Sequence, residues 1–254
     1  MTMHKMLLCI LTAYAFTVTA HAATPVPVAN PSLDAVLQKL SSSAPANDVA
    51  RIEKAIHASP ALLGQLNALA SSGKLKSITV KSGEVAAVDH GADFGAAFDA
   101  NGIVLSEVFL GKQSQMAYDV RTPNEVLPNN TVFVLGHLAY HLRDAQYVEQ
   151  AAHRAANEDA FMTEVMRNEA AAFIQGWNDV VDAATVTNGN KPLSGGQAGQ
   201  LMINLLYRSA FIRAMNAKVG QKLDFSKGGY IEASDRNLDA MAAALRNKPL
   251  AGLQ

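Results

Sequence analysis

His137 and His141 lie four residues apart in Val134-Leu135-Gly136-His137-Leu138-Ala139-Tyr140-His141, a strongly helical stretch. On an α-helix, residues i and i+4 share a face one turn apart, so both imidazoles can be offered to one metal ion. Beyond residue 22 the chain has His57, His90, His137, His141 and His153, and so small a set yields such a pair by chance often enough that a structural pair is the competing reading. Further on, Phe161, Met162, Val165, Glu169, Ala172, Phe173 and Gly176 follow the i, i+3, i+4 rule and mark one face of a second helix, with Glu169 its only charge. A carboxylate in an apolar stripe is costly to bury unless it is paired, protonated or bound to a cation. Two imidazoles and one carboxylate give three protein ligands, the number that leaves a fourth position open on zinc. The alternative partner for Glu169 is an arginine, such as Arg208 or Arg213.

The elements that must position these groups follow from periodicity. Asn30-Pro31 reads as a cap with proline in the first turn, opening a helix through Leu33, Val36, Leu37 and Leu40. Val49, Ile52 and Ile56 repeat the pattern, and Ser59-Pro60 opens a third helix that stops at Gly73. Between Lys76 and Leu110 the rhythm shortens: Ile78 and Val80, Val85 to Val88, and Ile103, Leu105 and Val108 predict about three short strands, with Asp99-Ala100-Asn101-Gly102 as a turn. Pro123 to Asn130 reads as a polar loop, and Thr131 as the cap of a helix to about Ala145. A long helix is expected from about Val148 to Ala184, then a break at Asn188-Gly189-Asn190-Lys191-Pro192. Ser194 with Gln197 forms a capping box for a helix through Asn216, and a last helix starts at Ser234 after a loop from Asp224 to Tyr230.

In this order the chain resembles the zincin superfamily of metallopeptidases, in the branch of secreted and effector-type bacterial proteins whose third ligand is a glutamate. The residues that carry the resemblance are Ile103-Val104-Leu105, matching an edge strand, then Gly136-His137-Leu138-Ala139-Tyr140-His141, then Asn168-Glu169-Ala170-Ala171-Ala172 with Gly176-Trp177-Asn178. The likeness spans roughly residues 76 to 184 and implies an α+β, zincin-like fold, mainly helical, with a small antiparallel or mixed sheet ahead of the motif helices. It also implies His137, His141 and Glu169 as ligands of zinc. One position departs from the family: Leu138 stands where a glutamate takes a proton from the attacking water and passes it to the leaving amine. Leucine can do neither, and loss of such help costs about 10² to 10⁴ in rate. A catalytically degenerate homologue that acts by binding a protein or peptide is therefore expected. The alternatives are an active metallohydrolase with a base from Asp89, Asp93 or Glu149, and a metal-free interaction domain with the three residues as a hydrogen-bonded cluster.

Other residues of interest read as structural. Tyr140 is able to border the site but is expected to pack as an aromatic; the Asp89-His90-Gly91-Ala92-Asp93 stretch describes a turn; His57 and His153 fall among charged or small residues. Tyr207 and Arg208 are placed to stabilise an oxyanion, with a structural role favoured, and Met162, Met166, Met202 and Met215 read as core fillers.

Composition narrows the classes. With 49% hydrophobic and 17% charged residues over 254, the chain has material for a packed core. A net charge of -1 without a dense basic block argues against a nucleic-acid binder. Met1 to Ala22 reads as a secretory signal: Lys5, an apolar run from Met6 to Val18, and Ala20-His21-Ala22 as cleavage site. Its removal leaves a periplasmic or secreted chain of 232 residues, with 20 basic and 22 acidic side chains, no stable membrane anchor, and no cysteine, since Cys9 is the only one. Residues 23-29 are then a proline-marked linker and 30-254 one domain: helices at 30-75, strands at 76-110 and helices at 131-254.

Overall fold

The computed structural model describes residues 32-82, 96-99, 101-107, 109-110, 129-143, 153-205, 207-217 and 222-246. The leader, the linker, Val85 to Val88, His90, and the candidate bases Asp89, Asp93 and Glu149 lie outside the described residues.

Three helices open the fold: α1 (Leu33–Ser43), α2 (Ala46–Ala58) and α3 (Pro60–Ser71). The cap of α1 is Ser32, two residues beyond the Asn30 expected from the sequence, because its hydroxyl accepts from the Ala35 N–H at 3.3 Å. The helix ends where Ala44, preceding Pro45, turns extended, as a residue before proline prefers. Ser59 and Pro60 start α3 as their order predicts. Gly73, at φ +74°, closes it, with the N–H groups of Gly73 and Lys74 returning to Ala70 and Leu69. Leu33, Val36 and Leu40, Ile52 and Ile56, and Leu62 and Leu66 bury one stripe from each helix in a common core.

Strands β1 (Ser77–Lys81), β2 (Ala96–Asp99) and β3 (Gly102–Ser106) form a three-stranded sheet in the order β1-β3-β2. β1 runs parallel to β3, pairing Ile78 with Ile103 and Val80 with Leu105; β2 runs antiparallel to β3 across the turn before Gly102. The sheet is thus small but not purely antiparallel. β2 falls in a glycine-rich stretch whose periodicity does not mark it. Ile103-Val104-Leu105, an edge strand by the family pattern, is central here, and the full burial of Ile103 and Leu105 fits a strand paired on both sides.

The remaining described chain is mainly helical: α4 (Asn129–Arg143), α5 (Glu158–Thr187), α6 (Gly195–Ile203), α7 (Arg208–Met215) and α8 (Asp235–Arg246). Three boundaries differ from expectation. Thr131 is not a cap but a buried residue inside α4, which begins at Asn129. α5 starts at Glu158, because Asn157 accepts from the Ala160 N–H at 2.8 Å and Glu158 and Asp159 complement the first turn. The Ser194–Gln197 capping box is present, but the helix it opens stops at Asn204, and a second helix follows, where the sequence offers no Gly or Pro to mark the break.

Gly176-Trp177-Asn178 ties α5 to the chain before α8. Trp177 donates from Nε1 to the Gly229 carbonyl at 2.7 Å, while Asn178 exchanges bonds with Ile231, donating to its carbonyl at 2.8 Å and accepting from its N–H at 2.9 Å. Gly229, at φ +88°, makes the turn that presents that carbonyl. No helix of the described residues is long and apolar enough to cross a membrane.

Candidate metal centre

α4 and α5 cross antiparallel: Gly136 meets Gly176, and His141 lies against Glu169. The approach is as close as two glycines permit. A Cβ at Gly176 would stand 2.6 Å from the Phe133 carbonyl oxygen, and one at Gly136 would stand 3.3 Å from the Gly176 Cα. With the backbones this near, side chains within two turns of the glycines converge.

They converge on one point. His137 Nε2 and His141 Nε2 are 3.2 Å apart, His141 Nε2 lies 3.0 Å from Glu169 Oε2, and His137 Nε2 lies 3.3 Å from Glu169 Oε1. All three side chains are buried, with 1%, 7% and 3% of His137, His141 and Glu169 exposed. Among the described residues this is the one group of three or more His, Cys, Asp or Glu placed to hold a metal ion. A tetrahedral zinc with bonds of about 2.0 to 2.1 Å has ligand-to-ligand edges of about 3.3 Å, close to the 3.2 Å between the two imidazole nitrogens, each of which faces a different oxygen of the carboxylate. The arginine alternative for Glu169 is not realised: Arg208 donates to the Ile203 carbonyl and Arg213 to that of Ala244.

Aromatic rings wall the cluster. His137 is edge-on to Phe173 at 5.3 Å and stacked near Phe133 at 6.3 Å, and Tyr207 stacks on Phe133 at 5.0 Å. Tyr140 is half-buried, edge-on to His141, with the Arg143 guanidinium over its ring at 4.4 Å. Leu138, 1% exposed, belongs to the hydrophobic core. His57 and His153 are exposed, and Met166 and Met202 are buried with apolar neighbours.

A second buried acid escapes the periodicity reading, although the Glu169 stripe read one turn past Gly176 reaches it. Asp179 is 2% exposed; its Oδ1 accepts from Gln65 Nε2 at 2.9 Å, and its Oδ2 has no hydrogen-bond partner among the described residues. Burial pushes this carboxyl up to about 7; the Gln65 hydrogen bond acts the other way and the Asp182 charge adds to the rise. The folded chain therefore holds this proton more tightly than the unfolded one, where the group titrates near 3.8. The resulting stability is fully present below the unfolded value and is lost as pH rises through the folded one. At 1.36 kcal/mol per unit the difference is about 4 kcal/mol as an upper bound. Chemical denaturation of wild type and Asp179→Asn between pH 4 and 8 should show the variant gaining on wild type as pH rises; a constant difference across that range would refute the burial account.

The chain matches no protein-family model, no curated protein and no solved structure.

Proposed function

We propose that this is an exported, zincin-like protein that holds a divalent metal, zinc by its donor set, at His137, His141 and Glu169 and acts by binding a protein or peptide, not by hydrolysis. The observation that carries the metal reading is the convergence of two imidazole nitrogens and a carboxylate within 3.3 Å in a site closed to water. Hydrogen bonds alone serve this cluster poorly. If each Nε2 gives its proton to the carboxylate, two N–H groups face each other across 3.2 Å. If one instead gives its proton to the other ring, the accepting Nε2 has no proton to donate, and a single N–H is shared between that ring and a buried anion. A bound dication uses all three lone pairs and compensates the charge.

The loss of hydrolysis rests on Leu138, which supplies no proton acceptor beside His137 and is packed into the core. When bound, the metal would act as a cross-link between α4 and α5, and the chain's own residues hold it dry: Phe133 and Phe173 exclude water on the His137 side. Incubation of zinc-loaded protein with casein or peptidoglycan peptides is expected to yield no chelator-sensitive turnover. Turnover abolished by chelation would replace the binding reading with that of an active hydrolase.

A further inference from the structure

We propose that the Asp179 carboxyl is a positioning residue of the metal centre: while it carries its proton it takes the place of a side chain on Gly136 and so holds the adjacent His137 in register with Glu169. The inference rests on the metal reading of His137, His141 and Glu169 and deepens it.

The geometry is specific. A Cβ built on Gly136 would lie 2.1 Å from Asp179 Oδ2 and 3.1 Å from its Cγ, so the acid fills the space that the glycine vacates. Gln65 from α3 fixes the other oxygen and is itself bonded to Gln175, one turn before Asp179. The carboxyl is thus wedged where α3, α4 and α5 meet, one residue from a ligand.

The surroundings suit a neutral acid. From α3 the facing group is Gln65, and from α4 the Gly136 backbone. On α5 itself the next acid is Asp182, which accepts from the Ser59 hydroxyl and the Ala61 N–H. From the loop ahead of α8 the Tyr230 phenol lies within electrostatic reach of both acids. None of these groups is a cation. Among the described residues an ionised Asp179 has no compensating charge, and it gains hydration only by drawing water into the crossing or moving away from Gly136. Either movement loosens the α4–α5 approach, and a site loosened by about 1 Å binds poorly.

Proton and zinc are then linked, and the linkage is reciprocal: if the protonated acid favours zinc, zinc favours the proton on the acid. Zinc affinity, measured by competition with a chromophoric chelator from pH 6 to 8.5, should fall in wild type relative to Asp179→Asn above about pH 7. The expected ratio grows by up to about tenfold per pH unit, because asparagine keeps the neutral shape. Parallel profiles for the two proteins would overturn the inference while leaving the metal site standing. Absence of zinc binding by wild type at every pH would overturn the metal reading and this inference with it. Should Asp179→Asn not fold, wild type alone decides: the ¹³C carboxyl resonance of Asp179 must titrate at higher pH with zinc than without, and identical titrations would refute the linkage.

Discussion

Gly176→Ala is expected to be strongly destabilising. The new Cβ would stand 2.6 Å from the Phe133 carbonyl oxygen, a backbone atom inside α4 that cannot turn aside, and 3.2 Å from the Phe133 ring. That ring is hemmed in by Phe173, Tyr207 and Phe211, so the strain passes to the helix crossing. Overpacking of this kind costs about 1 to 3 kcal/mol and sometimes more, and for a chain of this size each kcal/mol lowers Tm by about 2 to 4 °C. The variant should also lose zinc, because parting α4 from α5 carries Glu169 away from His137 and His141. Gly64→Ala is the control. Gly64 is exposed within α3 with nothing within 4 Å of its Cβ position, so the same change there should raise stability by about 0.5 to 1 kcal/mol through helix propensity. Thermal denaturation of the two variants beside wild type checks both signs.

Glu169→Gln separates holding the fold from holding the metal. The amide keeps the shape of the acid but removes a charge that, among the described residues, two imidazoles face within the core. Without metal, the variant should therefore be no less stable than metal-free wild type, since an anion no longer has to be buried. With zinc at a hundredfold excess over Kd, wild type should gain about 2.7 kcal/mol, read as about 5 to 10 °C in Tm, and the variant should gain almost none. A variant much less stable than wild type in the absence of metal would mean that Glu169 is a structural hydrogen-bonding group, and the metal reading would lose its main support.

The ligand trio is legible in the sequence because each part leaves a trace at a fixed spacing: His137 and His141 one turn apart, and Glu169 alone among apolar residues on its stripe. The third helix is legible for a similar reason, since Ser59-Pro60 and Gly73 punctuate the chain as they do in the fold. What the sequence conceals is set by contacts between distant segments. β2 lacks a strand pattern and forms because β3 offers it an edge. The end of α6 at Asn204 has no breaker residue. Asp179 is an ordinary acid in an ordinary helix until α4 brings Gly136 against it, and only then is its proton held. The same contact explains why a glycine precedes His137 and another lies seven residues beyond Glu169: both are needed for the crossing that makes the ligands meet.

The central claim is that His137, His141 and Glu169 hold a metal, and metal analysis after equilibrium dialysis against zinc tests it most directly. Wild type should retain one zinc per chain, while His137→Ala and Glu169→Gln, dialysed beside it, retain none above the buffer. Wild type that retains no more zinc than those variants would contradict it.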